Sequence, residues 1–116
     1  MNKAILIGNV GKDVEAKTAP DGGVFYVTAI ATEVGYGKNK KTLWVDLLFA
    51  ERFKNTTDSI TKGSKIYVEG ENKIKAYINK SGEAVGTQSV NVSSIKFLSE
   101  KPKEEEQEVK GEKYGF

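Results

Sequence analysis

Turn residues cut this chain into short apolar runs, and that punctuation limits its fold more than any other feature. Pro20-Asp21-Gly22-Gly23 is the strongest turn signal, since proline fixes φ and glycine accepts φ > 0. Gly11-Lys12-Asp13 ends the first run, and Asn79-Lys80-Ser81-Gly82 marks a later turn. Gly35-Tyr36-Gly37-Lys38-Asn39-Lys40-Lys41 forms a basic, glycine-bearing loop. The runs between these breaks are residues 3–10, 24–32, 42–49, 64–69, 73–78 and 85–97. They are β-prone, and several are rich in β-branched and aromatic side chains, so they read as strands. Residues 64–69 and 73–78 are expected to be a fourth strand and its hairpin partner.

One stretch departs from the β pattern. Across residues 50–61, Phe49, Phe53 and Ile60 fall near one face at helical spacing. The Asn55-Thr56-Thr57-Asp58 centre has poor helix propensity, so the helix is expected to be short, and Lys62-Gly63 closes it. The fold class is therefore mainly all-β. The order matches an OB-fold, a five-stranded Greek-key barrel with one short helix between strands 3 and 4. In that architecture the middle strands and two long loops bind oligonucleotides.

Composition narrows the function. The 116 residues suit one domain with a tail, and they contain no cysteine and no histidine. No disulfide, thiol nucleophile, Ser-His-Asp triad or imidazole ligand is available. Asp13 with Glu15, or Glu69 with Glu71, are ordinary surface carboxylates that form no metal-ligand cluster. Gly8-Asn9-Val10-Gly11-Lys12 lacks the spacing of a phosphate loop. No enzyme activity, cofactor or metal is expected. No apolar run has the length of a membrane span or the flanks of a secretory signal, so a cytoplasmic protein without a membrane partner is expected.

The charge divides unevenly. Residues 1–98 hold 14 Lys and Arg against 10 Asp and Glu, whereas residues 99–116 hold 4 against 6. A basic body with an acidic end fits a polyanion-binding domain over 1–98 and a flexible, disordered C-terminal tail over 99–116. It equally fits a solvated surface with a frayed end.

Strand alternation separates candidate core from candidate surface. In residues 73–78, period two puts Lys73, Lys75 and Tyr77 on one face and Ile74, Ala76 and Ile78 on the other. Cations beside an aromatic ring suit single-stranded nucleic acid, where cations follow phosphates and rings stack on bases. They also suit a solvated strand with a snorkelling tyrosine. In residues 42–49 the set Leu43, Val45, Leu47 and Phe49 is the expected core, which turns Trp44, Asp46 and Leu48 outward. Tyr36, Trp44 and Tyr77 then lie on surfaces with Lys38, Lys40, Lys41, Lys73 and Lys75. Stacking is indifferent to base identity, and the single arginine, Arg52, argues against major-groove readout.

The blocks Asn2-Lys3-Ala4-Ile5-Leu6-Ile7-Gly8-Asn9-Val10-Gly11-Lys12-Asp13 and Lys62-Gly63-Ser64-Lys65-Ile66-Tyr67-Val68-Glu69-Gly70 are specific. With Gly22-Gly23, Ala31-Thr32 and Thr42-Leu43-Trp44 between them, the chain resembles bacterial and phage single-stranded-DNA-binding proteins over roughly residues 2–98. The resemblance implies a protein that coats single-stranded DNA during replication, recombination and repair. It implies Tyr36, Trp44 and Tyr77 as stacking aromatics, and Lys73, Lys75, Lys3 and Lys17 as phosphate contacts. It also implies a homotetramer, with a dimer as the alternative, in which the first strand helps pair subunits and Lys65 and Tyr67 face a second dimer. The loop before Trp44 is shorter than the family pattern, and Val45 and Asp46 replace residues that are often His and basic. Glu112, Tyr114 and Phe116 keep part of a tail that binds replication and recombination proteins, although Gly115 stands where the family has proline. Two other readings remain: an OB-fold primosomal or RNA-binding accessory protein, and a protein-interaction barrel that no longer binds DNA.

Overall fold

The structure is a computed structural model that describes residues 1–98; the tail residues Glu112, Tyr114 and Phe116 lie outside the described residues. Six strands follow one another as β1 (Lys3–Val10), β2 (Glu15–Thr18), β3 (Val24–Val34), β4 (Lys41–Ala50), β5 (Lys65–Ile78) and β6 (Ala84–Phe97). A 3₁₀ turn at Glu51–Phe53 and a single helical turn, α1 (Lys54–Thr57), separate β4 from β5. The strand order is β1-β5-β6-β4-β3-β2, and β1 also pairs with β3. Five strands thus close on themselves, β2 is added outside them as the hairpin partner of β3, and the architecture is the OB-fold barrel.

Two turns of the same design end the hairpins. In the first, the Ala19 and Gly22 N–H groups donate to the Gly23 and Ala19 carbonyls at 2.7 and 2.9 Å, and the Asp21 carboxylate accepts from the Gly23 N–H. In the second, the Asn79 and Gly82 N–H groups donate to the Glu83 and Asn79 carbonyls at 2.9 and 3.0 Å, with Asn79 Oδ1 accepting from Ser81 and Glu83. Gly22 and Gly82 take φ of 91° and 82° at equivalent places, a region that side-chain-bearing residues avoid.

Alternation builds the core as expected for most of β4. Val45, Leu47 and Phe49 are fully buried with Ile30, Ile66, Val68 and Val90, while Leu43 is exposed because it lies near the strand's start, beyond the packed interior. The 50–61 segment contributes through its apolar residues more than through helix. Phe53 meets Phe49 edge-on at a centroid distance of 5.8 Å, and Ile60 is buried in the core. The poor helix formers at 55–58 hold the α-helix to four residues.

Two expectations are corrected. Residues 64–69 and 73–78 are not a strand and its hairpin partner but one continuous strand, β5, paired antiparallel with β6 along its length. Gly70 interrupts the sequence pattern because it sits at a bulge: Glu69 faces Ser94 and Gly70 faces Val92, leaving Ser93 unpaired. A Cβ at Gly70 would collide with the Asn91 carbonyl, so the glycine permits close backbone approach where a turn was expected. The second correction concerns the outer part of β5. Ile74, Ala76 and Ile78 do alternate with Lys73, Lys75 and Tyr77, but Ile74 is 73% and Ile78 68% exposed. The hairpin extends past the barrel as an arm, so neither face meets a core.

Candidate nucleic-acid interface

Pairing across the sheet places residues from four strands on one outer face. On β4 the outward residues are Trp44, Asp46 and Leu48. Asp46 and Leu48 lie beside Ser89 and Asn91 of β6, which in turn face Lys73 and Glu71 of β5. Because side chains repeat every second residue, Lys75 and Tyr77 continue the Lys73 row along the arm, opposite Thr87 and Val85. On β3, Ala31 and Ala29 are the cross-strand neighbours of Trp44 and Asp46.

Trp44 is 56% exposed although it is the only tryptophan. Its inner edge lies against Gly11, where a Cβ would collide with the six-membered ring. One edge of the indole is therefore seated and much of the rest faces solvent. Tyr77 is half-exposed on the arm. Tyr36 is 90% exposed at the entrance to a 3₁₀ turn (Gly37–Asn39), with its backbone held by the Asn39 N–H donating to its carbonyl at 2.9 Å. The loop carrying it leads directly into β4 through Lys40 and Lys41, at the end of the strand nearest Trp44.

The lysines fall into two groups. Lys73, Lys75, Lys38 and Lys41 are exposed and have no ion pair among the described residues. Lys40 pairs with Glu33 at 3.3 Å, Lys17 with Glu15 at 3.9 Å and Lys3 with Glu69 at 2.8 Å. Lys17 lies across from Phe25 at the far edge of the sheet, and Lys3 across from Glu71 on β1. The fold thus brings Trp44, Lys73, Lys75 and Tyr77 onto one surface, with Tyr36, Lys38, Lys40 and Lys41 at its β3–β4 end. Lys3 and Lys17 stand at its margins.

Around Lys3 the charges are tightly arranged. The Lys3 ammonium, and next the Tyr67 hydroxyl donating at 2.5 Å, hold the Glu69 carboxyl below its usual pKa against the opposing cost of desolvation. The same hydrogen bond to Glu69 raises the Tyr67 hydroxyl above its ordinary value, with desolvation and the carboxylate charge acting in the same direction.

Sequence reasoning missed one part of this face. Beyond Leu48 lies a depression of about 460 Å³ lined by Phe25, Leu48, Arg52, Glu71 and Asn91, among others. Phe25 was legible as an outward residue from the parity of its strand, but Arg52 and Asn91 come from distant segments and only the fold brings them together. Among the described residues no group of three or more His, Cys, Asp or Glu could hold a metal ion, and no helix is long and apolar enough to cross a membrane.

The model of the single-strand binding protein family matches residues 1–98. The chain is 31% identical over 106 residues to a single-stranded DNA-binding protein of Wolinella succinogenes, covering 86% of this chain. It is 27% identical over 111 residues to that of Helicobacter hepaticus, covering 90% of this chain. It spans 65% of the length of each relative. Among solved structures, Plasmodium falciparum SSB in complex with ssDNA superposes with a TM-score of 0.66 at 22% identity, covering 85% of this chain and 96% of that one. A small single-stranded DNA-binding protein from Streptomyces coelicolor gives 0.67 at 17% identity, covering 84% and 96%. At these identities the structural likenesses establish the barrel.

Proposed function

Since the chain belongs to the single-strand binding protein family, we propose that it coats single-stranded DNA without strong sequence preference, protecting and organising it for replication, recombination and repair. The observation that carries this reading is the half-exposed Trp44 on the same face as Lys73, Lys75 and Tyr77. A soluble domain gains nothing for its own packing by turning its one indole outward among cations, whereas each base stacked on such a ring contributes about 1–3 kcal/mol.

In this reading bases stack on Trp44 and Tyr77, and Lys73 and Lys75 follow the phosphates between them. Tyr36 with Lys38, Lys40 and Lys41 closes over the strand from the β3–β4 loop, Lys40 exchanging Glu33 for a phosphate. Lys17 and Lys3 extend the basic margin. The role is binding, with no catalytic step. Each phosphate neutralised on a single strand steepens the dependence of log K on log salt by about −0.7.

Residues 1–98 form the DNA-binding unit in this reading, and residues 99–116 recruit replication and recombination proteins through Glu112, Tyr114 and Phe116. The protein works in the cytoplasm at sites of replication as a homo-oligomer, a tetramer in the full assembly. Support for assembly comes from Ile5 and Ile7, both at least half-exposed beside Glu69 and Tyr67 on the outer face of β1 and β5. The decisive test is Trp44 fluorescence during titration with poly-dT at low and high salt, with a duplex control. Deep quenching by the single strand alone, weakened by salt, is expected; absence of both quenching and binding overturns the proposal.

A further inference from the structure

We propose that the depression at the Phe25 end of the sheet is an additional nucleobase subsite, one that favours bases bearing an exocyclic amine over thymine. The inference rests on the DNA-binding reading above and adds to it a place where base identity matters.

The depression has the parts such a site needs. Phe25, half-buried on β3, faces Ala50 across the β3–β4 ladder, and that small residue leaves the ring's surroundings open. Leu48 supplies a second apolar wall. Asn91 and Glu71 stand side by side across the β6–β5 ladder, and neither side chain has a hydrogen-bond or ion-pair partner among the described residues. An exposed carboxylate only accepts hydrogen bonds, so it selects an edge that donates, such as the amine of cytosine or adenine. Thymine offers an oxygen at that position and would meet the carboxylate with like polarity. Asn91 both donates and accepts, and so serves the rest of the base edge.

Arg52 completes the site. Its guanidinium lies 4.6 Å from the centroid of the Phe53 ring, and no carboxylate pairs with it among the described residues. A cation held in place by an aromatic ring at the rim of an apolar depression is positioned for a phosphate flanking the stacked base. The site lies on the same outer face as Trp44. From Phe25 to Ala31, the cross-strand partner of Trp44, β3 rises about 20 Å, so a strand bound at Trp44 reaches the depression only when it is several nucleotides long.

The test uses the full chain with oligo-dC and oligo-dT of increasing length, read by quenching of Trp44. The wild type is expected to gain affinity in a step once the strand reaches the depression, with oligo-dC beyond that length binding about threefold or more tighter than oligo-dT. Phe25→Leu and Arg52→Gln are expected to lower the long-to-short affinity ratio about fivefold. Glu71→Gln, which adds a donor at the same place, is expected to erase the preference for dC. Arg52 and Glu71 lie on the surface, so their variants read the site even where Phe25→Leu loosens the fold. If wild-type protein binds both homopolymers alike at every length and these variants match it, the subsite is overturned while DNA binding stands. If no single strand quenches Trp44 or binds, both readings fall.

Discussion

At the scale of single residues, Trp44 and Gly11 have to be considered together. The indole is seated on a position that has room for nothing larger than hydrogen. Trp44→Ala is therefore expected to weaken poly-dT binding by about 1–3 kcal/mol while the urea unfolding midpoint changes little, because much of the ring is already in water. The outward direction of Trp44 was legible in the sequence, since parity within one strand fixes it once Val45, Leu47 and Phe49 are assigned inward. Its seat on Gly11 was not, because that contact depends on how two strands distant in the chain approach each other. The Lys3–Glu69–Tyr67 cluster carries a second prediction. The Glu69 carboxyl has a lower pKa folded than unfolded, so the stability it contributes is present above the usual carboxylate range and is lost as pH falls through its folded value. Urea unfolding across acidic pH is expected to show that loss, and Lys3→Ala, which removes the largest cause of the shift, is expected to flatten the curve.

At the scale of elements, the long β5–β6 hairpin explains both what the sequence disclosed and what it concealed. Five of the six strands, the two hairpin turns and the short helix follow local rules and could be placed from composition and spacing, whereas the four-residue, fully exposed β2 has no apolar run to announce it. The continuity of β5 could not, because Gly70-Glu71-Asn72 reads locally as a turn and only the partner strand shows it to be a bulge. Gly70→Val tests that assignment. The new side chain meets the Asn91 backbone carbonyl, which cannot rotate away, so a loss of about 2 kcal/mol or more is expected in chemical unfolding. If residue 70 instead occupied an open turn, the substitution would cost little. The exposure of Ile74 and Ile78 has the same origin, since alternation identifies two faces of a strand but does not say whether either one meets a core.

At the scale of the whole molecule, the described residues form a small barrel whose outer surfaces differ in character. One carries the aromatics and unpaired lysines; the outer side of β1 carries Ile5 and Ile7 with Tyr67 nearby. In the assembly proposed above, Ile7→Glu places a charge in the subunit contact, and sedimentation is expected to show a shift toward smaller species with the barrel still folded. An unchanged mass would remove β1 from the interface. The strand order also governs when the barrel comes into being. Apart from Asn9 and Val10, which pair with Ala31 and Ile30 of β3, the first strand finds its partner only at Lys65–Glu71, and β5 in turn pairs with residues as late as Phe97. A nascent chain emerging at about 5–20 residues per second thus exposes Ile5, Leu6 and Ile7 for several seconds before any partner for that long ladder exists. During synthesis this N-terminal strand is a sticky, unpaired edge, and the cell's chaperones would meet it before DNA does.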